Sequence, residues 1–244
     1  MFKFYKVGGC VRDELMGLKP KDIDYVVVSD QVNDKDKAVG LSAHSLFGAL
    51  QQHLTSKGYT IFLSSPENYT VRAKIESGET VDFVMARKEI GYKEGTRQPI
   101  VVPGTLYDDL ERRDFTVNAI AIDLENGEYI DPFNGRLDIR MMVLRTPLLK
   151  PSLTLNDDPL RILRAIRFHI TKGFYIYSDL DYTIRQFDYD NKMSVVSDDR
   201  IREELLKCFK HNTKKTLEVL REYHQLTEYI FTKTNLWLKP TNEQ

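Results

Sequence analysis

The sequence predicts an α+β fold, with a head built on a short mixed sheet followed by an all-helical neck. Strand-like and helix-like segments alternate through the first part of the chain, strand patterning stops between Leu144 and Pro151, and the remainder is rich in helix formers. The domains are accordingly set at residues 1–145 and 146–244.

The elements follow in order. KFYKVGG and IDYVVVSD read as strands, with TIFLS, TVRAKI and TVDFVMA as three more. AHSLFGALQQHL carries Leu46, Leu50 and Leu54 at helical spacing, and Gly58 follows as a stop. AIAIDL and EYIDP flank the Glu125-Asn126-Gly127 turn as a hairpin. The stretch from Arg87 to Gly104 mixes glycine, proline and charge without a period and reads as a long loop. No internal repeat or low-complexity tract interrupts this pattern.

Composition narrows the function classes. A chain of 244 residues can bury a stable core without staples. Cys10 and Cys208 lie far apart and match no metal-ligand spacing, so neither a zinc site nor a disulfide framework is expected. MFKFYKVGG lacks the apolar run of a signal peptide and no later stretch could span a bilayer, so a soluble cytoplasmic protein without a membrane partner is expected. The net charge of −1 means that any RNA contact must use a local basic surface. Arg200, Arg202, Lys207, Lys210, Lys214 and Lys215 supply one within a single predicted helical region, although a solvated helix face would look the same.

The chemistry-bearing residues begin with Asp22 and Asp24, which open the strand IDYVVV. Alternation sends both side chains to one face, and two carboxylates aimed at one point can hold two divalent cations about 3.5 to 4 Å apart for in-line phosphoryl displacement. Magnesium suits such oxygen ligands. Gly8 and Gly9 precede them where a strand gives way to a helix, a place where backbone N–H groups can close on phosphate, and Arg12 follows to pair with a triphosphate. Asp82 in TVDFVMA is the best third carboxylate, with a buried or surface role competing. In ERRDFTVNA, Arg112 and Arg113 offer forks to phosphate or ribose, Asp114 could accept from a ribose hydroxyl or orient an arginine, and Asn118 could contact sugar or base.

NDDPLRILRAIRF is the most informative helix. Asn156 or Asp157 is placed to cap it, and Pro159 suits its first turn. Leu160, Ile162, Leu163, Ile166 and Ile170 gather on one side, while Asp157, Asp158, Arg161 and Arg164 gather on the other. Asp158 and Arg161 are near enough to act on one flat ligand. The carboxylate accepts from the exocyclic amino group shared by cytosine and adenine, and arginine donates to ring acceptors, so uracil and guanine would leave polar groups unpaired.

Five segments in order resemble one family, the class II tRNA nucleotidyltransferases and bacterial poly(A) polymerases of the DNA polymerase β superfamily. They are GGCVRDELMGLKPKDID, YDDLERRDFTVNAIA, DPFNGRLDIRMMVLR, NDDPLRILRAIRF and SDDRIREELLKCF, spanning Val7 to Phe209. The resemblance implies a DNA polymerase β-like head and a single nucleotide site between head and neck, used for CTP and then ATP without a template. It also implies that Asp22 and Asp24 hold two magnesium ions, which Asp82 is the candidate to help hold, and that Gly8, Gly9, Arg12, Arg112, Arg113, Asp114, Asn118, Asp157, Asp158, Arg161, Arg164 and Arg167 bind the nucleotide. The expected product is a CCA end on a tRNA, with no protein partner implied. Poly(A) synthesis, addition of only C or only A, and a silent RNA-binding module are the alternatives.

The sequence departs from the family pattern in several places. Asp157 and Asp199 stand where the family has glutamate. Longer relatives carry further helical domains that grip tRNA, so the basic region after Arg200 is the expected handle here. No His-Asp pair follows any histidine, which leaves a phosphohydrolase activity without a site.

Overall fold

The computed structural model describes residues 2–20, 22–32, 43–93, 96 and 99–234. Among these the chain forms two compact units, one running to Met141 and the other starting at Met142.

In the first unit, strand β1 (Phe2–Val7) leads into α1 (Gly9–Leu15), β2 (Asp24–Ser29), α2 (Ala43–Ser56), β3 (Thr60–Ser65), β4 (Thr70–Lys74) and β5 (Thr80–Met85). A hairpin of β6 (Arg87–Tyr92) and β7 (Pro99–Pro103) follows, then α3 (Leu106–Glu111), β8 (Ala121–Asp123), β9 (Tyr129–Ile130) and α4 (Gly135–Met141). The main sheet has seven strands in the order β3-β4-β5-β2-β1-β8-β9. Only the β2–β5 pairing in it is parallel; every other neighbour runs antiparallel.

Alternation divides the sheet into two working faces. Val27, Val71, Val81, Phe83 and Met85 bury one face against Leu46, Leu50 and Leu54 of α2, the leucines whose spacing predicts that helix. Tyr5, Val7, Val26 and Ala121 bury the other face with Leu110 and Ala119. Asp24 and Asp82, one position away from Tyr25 and Phe83, share the second face.

The expected loop from Arg87 to Gly104 is corrected by the β6–β7 hairpin; residues 94–95 and 97–98 of that stretch lie outside the described residues. Its prolines, Pro99 and Pro103, stand at the two ends of β7, and a bulge between Glu89 and Gly91 breaks the period that would have betrayed the strand.

The second unit begins with β10 (Val143–Leu144) and continues through α5 (Pro151–Asp157), α6 (Leu160–Lys172), β11 (Tyr175–Ile176), α7 (Ser178–Arg185), α8 (Tyr189–Lys192), α9 (Asp198–His211), α10 (Thr213–Glu222) and α11 (His224–Lys233). β10 pairs in parallel with β11, and residues from Met142 onward pack with this unit. This pairing also adds a two-stranded ribbon to an expected all-helical neck. The single helical region expected after Arg200 is two helices, broken at Asn212, whose side chain caps α10 by accepting from the Lys215 N–H at 2.9 Å. Both cysteines are buried free thiols. Among the described residues no helix is long and apolar enough to cross a membrane.

Gly135 shows how tightly α4 is seated. A Cβ there would lie 2.1 Å from the Thr116 carbonyl oxygen and 2.8 Å from Ile120 Cγ1, so Gly135→Ala should lower stability by roughly 1–3 kcal/mol. Gly48, inside α2 with nothing within 4 Å of its missing Cβ, should gain up to ~1 kcal/mol as alanine. Paired denaturant titrations check both signs, and equal effects at the two sites would contradict this packing.

Candidate active site

The site in the first unit is laid out by strand register. Asp24 of β2 faces Asp82 of β5 across the parallel pairing, which places two carboxylates side by side on one face of the sheet. Asp22 lies two residues before Asp24, exposed, in the turn leading into β2. Asp24 as a whole residue stays exposed, yet burial of its carboxyl by the surrounding protein raises its pKa, Arg113 opposes this, and Asp82 and Asp22 raise it further. Among the described residues no three His, Cys, Asp or Glu side chains stand close enough to hold a metal ion. Asp82 is turned toward Arg72, whose Nε and Nη2 donate to its two oxygens at 2.6 and 2.7 Å. The donor set nonetheless suits magnesium: hard carboxylate oxygens, aligned by the sheet and mutually repelling until a cation joins them.

An arginine layer borders these carboxylates. Asp109 of α3 is fully buried and accepts from Arg112 Nη2 at 2.5 Å and from Arg113 Nη2 at 2.9 Å. Arg112 also lies 3.5 Å from Glu89, and Arg113 Nη1 donates to the Asn118 carbonyl at 3.3 Å. The helix that carries Asp109 is fixed by a capping box between Thr105 and Asp108. Arg113 reaches over Gly8, where a Cβ would sit 2.9 Å from its Nη1 and 3.9 Å from Asp24 Oδ2. With a φ of 79°, Gly8 is thus required twice, for its backbone angle and for this approach. Burial, with help from Arg112, lowers the pKa of neighbouring Arg87 to about 10.

Arg12, expected to reach a triphosphate, is buried. Its guanidinium donates to Asp13 at 2.7 Å and to Asn118 Oδ1 at 2.6 Å. Asn118 in turn donates to Asp114 Oδ1 at 2.8 Å, and Asp114 accepts from the Phe115 N–H. The chain Asp13–Arg12–Asn118–Asp114 therefore orients Asn118 from behind. Gly9 borders the Arg12 guanidinium.

In the second unit the helix start differs from expectation. Asn156 and Asp157 close α5 instead of capping the next helix, because Pro159 drives Asp158 into extended backbone with φ −147° and ends α5 there. Asp158 then serves α6, accepting from the Leu160 N–H at 3.1 Å. Arg161 is tied back by Nη1 to the Thr154 carbonyl at 3.1 Å. Asp158 and Arg161 are thus both held at the α5–α6 break. Arg164 and Arg167 lie against the Phe168 ring, and Arg167 also pairs with Glu204 of α9. Burial would raise the Glu204 carboxyl, but Arg167 and Lys207 hold it below its ordinary range. Arg167 and Lys207, expected to meet nucleotide and RNA, are therefore engaged with Glu204. Arg202 pairs with Asp199, whereas Arg200, Lys210 and Lys214 are exposed and Lys215 is half-buried.

Sequence reasoning missed Asp109, Arg72 and Glu204. Asp109 was signalled by its spacing to Arg112 and Arg113, three and four positions on. Glu204 was signalled only by Lys207, three positions on, whereas its pairing with Arg167 and the Arg72–Asp82 pairing cross between elements and leave no local signal.

A family model described as the poly(A) polymerase head domain matches residues 4–145. The chain belongs to this family. Among curated members, a CCA-adding enzyme of Francisella tularensis subsp. tularensis is 32% identical over 243 residues, covering 97% of this chain and 59% of the relative. The Thermotoga maritima CCA-adding enzyme complexed with tRNA aligns with TM-score 0.72 and 27% identity over 98% of this chain and 50% of its own. A tRNA nucleotidyltransferase complexed with a primer tRNA and an incoming ATP analog aligns with TM-score 0.70 and 29% identity, covering 95% of this chain and 60% of that one. The chain spans about half the length of the curated relatives it matches. These alignments agree with the α+β architecture built on a polymerase β-like head.

Asp109 makes the arginine layer sensitive to acid. Burial alone would raise its carboxyl, but Arg112 and Arg113 hold it down to about 2. The folded value lies below the unfolded one of about 3.9, so the stabilisation is complete above roughly pH 4 and is lost as pH falls toward 2. Asp109→Asn should cost roughly 3–5 kcal/mol at neutral pH by removing the buried charge that both guanidinium groups share, and should flatten the acid limb of a stability–pH curve. Identical acid limbs in the two proteins would contradict the assignment.

Proposed function

We propose that this protein is a magnesium-dependent RNA nucleotidyltransferase that adds CCA to the 3′ end of tRNA from CTP and ATP, releasing pyrophosphate. The observation that carries the reading is the register match of Asp24 and Asp82 beside Arg113. Two aligned carboxylates next to a fixed guanidinium form a place where a triphosphate and its cations are stabilised together. Bound magnesium would supply charge neutralisation on the triphosphate and acidify the RNA 3′-hydroxyl. Asp24, Asp82 and Asp22 would hold it. Arg113 and Arg112, preset by Asp109, would meet phosphate oxygens without moving, and Asn118, oriented by Arg12 and Asp114, would contact the sugar.

Base choice falls to Asp158 and Arg161. Both are prepositioned by backbone partners, Asp158 by the Leu160 N–H and Arg161 by the Thr154 carbonyl. A carboxylate that accepts and a guanidinium that donates suit cytosine and adenine and leave uracil and guanine unpaired. The exposed Arg200, Lys210 and Lys214 would meet RNA phosphates, and at the level of charge this is an electrostatic, salt-sensitive contact.

Purified protein given tRNA lacking its terminus, magnesium and each nucleotide singly or together should add two C residues and then one A on a sequencing gel. Asp22→Ala and Asp24→Ala should lower the rate on the order of a hundredfold or more while the thermal melt is kept. A long ladder with ATP alone would move the assignment to poly(A) synthesis, and retained activity in both variants would remove the carboxylates from the chemistry.

A further inference from the structure

Arg72 has no part in the reading above, yet it stands on the row of the sheet that carries the carboxylates. Its partner across β4 and β5 is Asp82, and the partner of Asp82 across β5 and β2 is Asp24. Three adjacent strands thus present one guanidinium and two carboxylates in a single transverse line. The Arg72 contact is a fork that occupies both oxygens of Asp82. The pair is open to solvent, with 46% of the Arg72 side chain and 24% of the Asp82 side chain exposed, so the guanidinium can withdraw into water at little cost. Like charges facing each other across strands are unfavourable, and Arg72 is placed where it relieves that repulsion.

We propose that Arg72 is a positioning residue, an internal counterion that holds Asp82 until a divalent cation displaces it. The cation affinity of the site is then set by competition with this one side chain. The inference rests on the reading of Asp24 and Asp82 as cation ligands. It also accounts for the bidentate hold of Arg72 on Asp82. A resident guanidinium keeps the carboxylates apart from solvent cations of single charge and yields to a doubly charged ion, which gains more from the paired carboxylates than one guanidinium does.

The test is equilibrium binding of Mn2+ to the protein without nucleotide, read by the electron paramagnetic resonance signal of the free ion. Wild type, Arg72→Gln, Arg72→Lys and Asp24→Asn are compared, with a thermal melt of each to establish folding. Arg72→Gln should bind Mn2+ about five- to tenfold more tightly than wild type, because a unit charge near the site is removed, and Arg72→Lys should fall between the two because it keeps the charge without the fork. Added Mn2+ should raise the melting temperature of Arg72→Gln more than that of wild type. If Arg72→Gln binds no more tightly than wild type while Asp24→Asn abolishes binding, the competition is overturned and the cation site stands. If Asp24→Asn leaves Mn2+ binding intact, the cation reading falls and the competition with it.

Discussion

The pairing of β2 with β5 is the constraint on which the candidate site depends. It is the single parallel contact in the main sheet, and its register puts Asp24 opposite Asp82 on the face away from α2. A slip of β5 by one residue would turn Asp82 into the α2 core and bring Phe83 out of it, while Asp24 kept its face. The apolar face therefore fixes the position of the charged one. Phe83, stacked on Tyr25 at 5.3 Å between ring centroids, locks the register from behind the carboxylates it aligns.

Collecting negative charge on one row is unfavourable, and the surrounding arginines answer it in layers. Arg72 takes Asp82, Arg113 stands by Asp24, and Asp109 is buried beneath Arg113 and Arg112 so that two cations do not repel each other freely. Burying Asp109 is tolerable because both guanidinium groups bond to it. The second unit uses a different device, a proline-enforced break between α5 and α6 that leaves Asp158 and Arg161 held by backbone groups. In both units the candidate side chains are held by neighbouring protein groups.

Much of this was legible in the sequence. The strands of the sheet, the α2 leucine stripe and the candidate residues Asp24, Asp82, Arg113 and Asp158 were readable from alternation, helical spacing and a family resemblance. What escaped was set by tertiary partners. The β6–β7 hairpin was hidden by a bulge and by prolines at strand ends, which imitate loop composition. Arg12 reads as a phosphate ligand in a linear string because nothing local shows that Asn118, 106 positions away, receives its guanidinium. Asn156 and Asp157 look like caps until the effect of Pro159 on Asp158 is taken into account. Likewise nothing local in the sequence shows that Glu204 stands against Arg167, 37 positions away.

The most direct measurement is anomalous diffraction from crystals of the protein with Mn2+ and a non-hydrolysable CTP analogue. The account places a manganese peak within coordination distance of both Asp24 and Asp82, with the triphosphate reaching Arg113. A bound nucleotide whose manganese lies away from these two carboxylates would contradict it.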